Sequence, residues 1–100
     1  PVDTVDVALL RKAIRMERKL AITYRTGAGD TSARTVWPFA LSFFDHARVV
    51  VAWCELRQDF RHFRTDRIET AEMLETRYPR RRQAMLRAWR EAEGIPVRAV

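Results

Sequence analysis

A chain of 100 residues, 47% of them hydrophobic, is sized for one domain with a small core. Its single cysteine, Cys54, excludes an internal disulfide framework, and no apolar run approaches the length of a membrane span. The net charge of +6 and pI near 10.7 favour partners that carry phosphate, although a solvated basic surface would show the same balance.

In chain order, Asp3 or Thr4 is placed to cap a first helix that runs to about Lys19. Val7, Leu10 and Ile14 recur at helical spacing and form a stripe suited to packing on a sheet, with Arg11, Lys12, Arg15 and Arg18 mainly outside it. Residues 21–25 (Ala-Ile-Thr-Tyr-Arg) read as a first strand. The glycines at 27 and 29 make the next segment a hairpin turn. A phosphate-cradling loop would need a helix and a lysine after it, and a strand follows instead. That strand spans 34–44, with Pro38 marking a bulge, bend or edge because it lacks an N–H.

Asp45-His46-Ala47 is a tight turn into a third strand over 48–56, apolar on both faces and therefore central. Trp53 and Cys54 on it read as buried structural residues. A fourth strand covers 60–65, and a fifth runs from Ile68 to Glu75 with Ala71, Met73 and Leu74 able to turn inward. A final helix begins near Pro79, has Met85, Leu86 and Trp89 as its apolar face, and stops at Gly94-Ile95-Pro96. Arg80, Arg81 and Arg82 crowd its first turn against the helix dipole. They read as surface neutralised by Glu72, Glu75 or other nearby carboxylates.

The chemistry concentrates in residues 57–68, where Arg57, Arg61, His62, Arg64 and Arg67 are interleaved with Phe60, Phe63 and Ile68. By strand alternation Phe60, His62 and Arg64 share one face while Arg61, Phe63 and Thr65 share the other. Each face so mixes an aromatic ring with a cation, a combination that grips a nucleotide by phosphate pairing and base stacking. The competing account pairs these arginines with Asp59, Asp66 and Glu55 as architecture. Nothing in the sequence spaces a zinc site around His46 and His62, and Ser32 and Ser42 have no base partner in a nucleophile motif. The chain is therefore expected to be non-enzymatic, with no metal and no cofactor.

Several segments together are similar to a WYL domain. They are Ile22-Thr23-Tyr24-Arg25, Arg34-Thr35-Val36-Trp37-Pro38, Val51 to Arg57, Phe60 to Ile68, Arg77-Tyr78-Pro79 and Ala88 to Ile95. The resemblance covers nearly the whole chain. It implies an Sm-like, SH3-type barrel behind an N-terminal helix. It further implies a C-terminal ligand-sensing domain of a bacterial transcriptional regulator, behind a winged helix-turn-helix. The Trp-Tyr-Leu triplet that names the family is expected at the start of the third strand, where this sequence has Arg48-Val49-Val50.

The expected architecture is therefore mainly β with flanking helices: a small five-stranded antiparallel barrel with its N-terminal helix over residues 1–78, and a C-terminal helical extension over 79–100. The expected ligand set is Tyr24, Arg34, Arg61, Arg64 and Arg67, with Arg57 and His62 beside them. The expected effector is a nucleotide or single-stranded nucleic acid. The expected protein partner is an upstream helix-turn-helix domain, with a homodimer possible, no membrane and a cytoplasmic setting; the chain starts at Pro1 without an initiator Met and reads as a piece of a longer protein. The rival readings are a stand-alone Sm-like RNA- or single-stranded-DNA-binding module and a pure dimerisation domain.

Overall fold

The structure, a computed structural model, describes residues 5–44 and 46–94. Helix α1 (Val7–Met16) leads into five strands, β1 (Arg18–Arg25), β2 (Thr31–Phe44), β3 (Ala47–Cys54), β4 (Asp59–Arg64) and β5 (Ile68–Arg77), and helix α2 (Arg82–Ala92) is the last element among the described residues. A short 3₁₀ turn, Thr65–Arg67, joins β4 to β5. The strands form one antiparallel sheet in the order β4-β3-β2-β1-β5. The expected mainly β architecture with a helix at each end is therefore present. The sheet is not closed into the expected barrel: β4 and β5 stand at its two edges and do not pair with each other.

The first helix is shorter than its apolar stripe suggested, and the reason lies at both ends. Asp6, not Asp3 or Thr4, is the cap, its carboxylate accepting the Ala8 N–H at 2.9 Å; Asp3 and Thr4 fall outside the described residues. At the other end Glu17 takes a left-handed conformation, φ 56 and ψ 43, and its N–H closes onto the Ala13 and Ile14 carbonyls. That conformation is normally glycine's, and it turns Arg18 and Lys19 out of the helix and into β1. The last helix also starts late. Pro79 precedes it, Arg81 is its cap residue, and Ile95 and Pro96 of the stop signal lie outside the described residues.

The sheet is covered on both faces. On one, α1 lays Leu10 and Ala13 over Leu20, Ile22, Val36, Val50, Ala52, Cys54, Phe63 and Ile68. On the other, α2 lays Met85 and Trp89 over Phe39, Val49 and Val51, with Tyr78 sealing the edge. Burial on both sides explains the continuous apolar run of β3, whose Val49 and Val51 face α2 while Val50 and Ala52 face α1. It also accounts for β4, where Phe63 belongs to the α1 core and Phe60 packs on the α2 core.

Pro38 does mark a bulge. Register passes from Pro38↔Ala52 to Ala40↔Val51, so Phe39 is the extra residue, and it turns fully into the α2 core. Two expectations of burial need correction. Trp53 is only partly buried, packed on the α2 face against Trp37 and Phe60, whereas Cys54 beside it is wholly enclosed. Leu74 is partly buried, but the residues of that strand in or against the α1 core are Ile68, Ala71 and Met73.

Candidate functional site

Strand register sorts the arginine-and-aromatic residues onto two faces. On the α1 side, beyond the end of that helix's core, lie Tyr24, Ser32, Arg34, Phe63 and Arg61. The Tyr24 ring meets Phe63 edge-on at 5.0 Å between centroids, and its hydroxyl accepts the Arg64 N–H at 3.1 Å. The Arg34 guanidinium lies over the Phe63 ring, 6.0 Å from its centroid. Its Nε donates to Ser32 Oγ at 3.2 Å, and Nη1 approaches Cys54 Sγ at 3.7 Å. All of these partners are neutral. Among the described residues no carboxylate compensates the Arg34 charge, and a cation held over a ring by neutral groups is a ready phosphate ligand.

Arg61 is further committed. Its Nε reaches Asp59 Oδ1 at 2.9 Å and its Nη2 reaches Oδ2 at 3.3 Å, but both side chains are about half exposed and the pair is exchangeable. Arg57 is exposed in the β3–β4 turn. Arg67, in the 3₁₀ turn, runs to the β1–β2 turn, where its Nη1 lies 3.6 Å from the point that a Cβ on Gly27 would occupy.

His62 and Arg64 alternate onto the α2 side. His62 stacks on Phe44 at 5.0 Å with rings 6° from parallel, and its Nε2 accepts the Trp89 indole N–H at 2.9 Å. The acceptor role places the proton of the neutral ring on Nδ1. Arg64 forms a two-pronged pair with Asp66, Nε to Oδ1 at 3.0 Å and Nη2 to Oδ2 at 2.7 Å. That pairing holds the Asp66 carboxyl below its ordinary value and raises Arg64. The structure thus brings Tyr24, Arg34 and Arg61 to one surface. It sets His62 and Arg64 on the opposite one, with Arg57 and Arg67 at turns.

The architectural account of these arginines is half realised. Asp59 and Asp66 do pair with Arg61 and Arg64, but Glu55 turns to Lys19 Nζ at 2.8 Å and to the Trp37 indole N–H at 2.7 Å. Those two donors, Lys19 first, hold the Glu55 carboxyl below its ordinary value. Residues 48–50, where the family triplet was expected, have distinct places in the fold. Val49 and Val50 are core side chains on opposite faces, and Arg48 lies over the Phe43 ring at 5.6 Å.

Sequence reasoning missed Glu17. Its carboxylate Oε1 accepts the Arg82 N–H at 2.8 Å and lies 3.3 Å from Arg81 Nε, while its carbonyl accepts the Tyr78 N–H at 3.1 Å. Glu17, not Glu72 or Glu75, is the carboxylate that meets the arginine cluster at the start of α2. No local pattern signals a cap 65 residues away in sequence.

Among the described residues no group of three or more side chains gathers as a metal site, and no helix is long and apolar enough to cross a membrane. A WYL domain family model matches residues 6–73. Among solved structures, proteasome accessory factor B/C (PafBC) of Arthrobacter aurescens is similar, with a TM-score of 0.68 and 30% identity. The match covers 73% of this chain and 12% of that one. No curated protein matches the chain.

Proposed function

The chain belongs to the WYL domain family, and from that premise we propose that it is a non-enzymatic, ligand-sensing module of a bacterial transcriptional regulator. Its effector is an anion with stackable rings, a nucleotide or a short single strand of nucleic acid. The observation that carries this reading is Arg34, held over Phe63 by neutral partners with Tyr24 at the ring's edge. Arg34 and Arg61 take phosphates, and Tyr24 offers a face or edge to a base. The Arg64 N–H keeps the Tyr24 hydroxyl in place, and the Arg64–Asp66 pair fixes that turn. Arg57 and Arg67 extend the basic surface along a strand of nucleic acid. Occupation of this surface changes how the module presents itself to an upstream helix-turn-helix domain.

The test is fluorescence anisotropy of the 100-residue chain with a short single-stranded oligonucleotide across a salt series. Affinity should fall with salt at a log–log slope of about −0.7 per phosphate neutralised. Arg34→Ala should weaken binding by about tenfold and make the slope shallower, in line with loss of one charged contact. Arg61→Ala should follow it with a smaller loss, because Asp59 already screens that charge. Arg87→Ala, exposed on α2, removes the same charge elsewhere and should change little. Absence of binding at low salt, or equal losses at positions 34, 61 and 87, would overturn the proposal.

A further inference from the structure

A second basic concavity lies away from that surface. It is a cleft of about 720 Å³ between the last turns of α1, the middle of β2 and the first turn of α2. Among the described residues its walls carry Arg11, Arg15, Arg81 and Arg82, with Glu17 as the one carboxylate and Ile14 and Leu41 in an apolar floor.

The four cations are gathered at a cost. Arg11 and Arg15 are one helical turn apart, a spacing at which like charges repel. Both are exposed, and neither has an ion-pair partner among the described residues. Arg81 and Arg82 sit at the start of α2, where cations oppose the helix dipole. Glu17 offsets only part of this, since its Oε1 is shared between the Arg82 N–H and Arg81 Nε. Arg82 donates its Nε to the Phe39 carbonyl at 2.9 Å, which fixes its stem and leaves its two terminal amino groups available to the cleft. Four guanidinium groups against one carboxylate leave three net positive charges around an apolar floor, where field lines concentrate.

We propose that this cleft binds a polyphosphate group, of the pyrophosphate class. Such an anion spreads two or three charges over several oxygens and accepts paired hydrogen bonds from planar guanidinium forks. A single carboxylate or a monovalent anion would leave most of the excess charge unmatched. Because the walls come from α1 and α2, the bound anion ties together the two helices that cover opposite faces of the sheet. Glu17 acts as the built-in competitor: its carboxylate already occupies the N–H at the start of α2 and lowers affinity for any incoming anion. The site shares no residue with the Tyr24–Arg34–Arg61 surface, so each reading stands or falls alone.

Pyrophosphate titrated into the ¹⁵N-labelled 100-residue chain should shift the amides of Ile14, Arg15, Leu41 and Gln83 saturably. The Tyr24 and Phe63 amides should stay still, and sulfate at matched ionic strength should do much less. Arg11→Ala and Arg15→Ala, both at exposed positions that leave the fold intact, should each weaken binding by about tenfold. Glu17→Gln keeps an acceptor for the Arg82 N–H but removes the competing charge, and should raise affinity severalfold. ADP binding more tightly than pyrophosphate, with larger shifts at Ile14 and Leu41, would assign the phosphates to a nucleotide whose base lies on the floor. Equal or weaker ADP binding would assign a free polyphosphate. The proposal is overturned by unsaturable shifts, by shifts confined to Tyr24 and Phe63, by an Arg87→Ala loss equal to that of Arg11→Ala, or by a Glu17→Gln chain that binds no more tightly.

Discussion

Tyr78 illustrates how one side chain closes a junction. It is 5% exposed, stacks on Trp37, and donates its hydroxyl proton to the Pro38 carbonyl at 3.0 Å, the acceptor beside the Phe39 bulge. Burial, with Glu17 nearby, pushes its hydroxyl far above the ordinary value, so the proton is retained across the whole working range. Tyr78→Phe keeps the ring and strands the carbonyl. It should cost about 1–3 kcal/mol in urea unfolding, the penalty of a buried acceptor left without a donor. Glu55 makes a pH-dependent contribution. Lys19 and Trp37 lower its pKa from the ordinary 4.5, so the unfolded chain binds its proton more readily than the folded one. Its stabilisation is complete above pH 4.5 and is lost as pH falls from there through the lower folded value. Asp66, lowered from 3.8 by Arg64, follows the same sign in a more acidic window. Glu55→Gln should flatten the acid side of the stability profile near pH 4, and an unchanged profile would show that the Lys19–Glu55–Trp37 group is energetically silent.

At the scale of elements, α2 and β3 carry tryptophans that look alike in sequence and differ in burial. Trp89 is 5% exposed, edge-on to Phe39 and bonded to His62, and it is the main side chain anchoring α2 to the sheet. Trp89→Ala should destabilise by about 3–5 kcal/mol, enough to release the helix. Trp53, partly exposed on its strand, should cost less than about 3 kcal/mol when cut to alanine. Paired urea titrations with helical content followed by circular dichroism check the order; a larger loss at Trp53 would mean that the β3 surface, and not α2 docking, dominates that core. The element boundaries obey non-local rules of the same kind. Helix α1 stops at Met16 because Glu17 adopts a left-handed turn whose carbonyl and carboxylate are both claimed by the β5–α2 segment.

For the molecule as a whole, the sheet is the partition between two cores, and Cys54 lies wholly enclosed in the one under α1. Among the described residues the polar group that approaches its Sγ is Arg34 Nη1, at the end of the sheet where the candidate ligand surface begins. A bulky thiol reagent should therefore label Cys54 at the rate of global opening, with a urea dependence matching that of equilibrium unfolding. Rapid labelling in native buffer would show that the α1 core opens locally beside Arg34.

The sequence by itself determined the strand pattern, the central position of β3, the hairpin at Gly27 and Gly29, a break in regular pairing at Pro38 and the family. Each of these follows from local periodicity or from residue types with restricted backbones. It also supplied the cationic and aromatic composition of residues 57–68, together with the carboxylates that pair with Arg61 and Arg64 two residues away. Only the tertiary structure decided which of those arginines share a surface. Alternation in β4 separates Arg61 from His62 and Arg64, and register across three strands sets Arg34 over Phe63. It alone sent Glu55 to Lys19 and Glu17 to the start of α2, and so gathered Arg11, Arg15, Arg81 and Arg82 around one cleft. The physical reason is range: propensity and alternation act over a few residues, whereas the charge around a site is set by side chains that meet only after the strands have paired and both helices have packed.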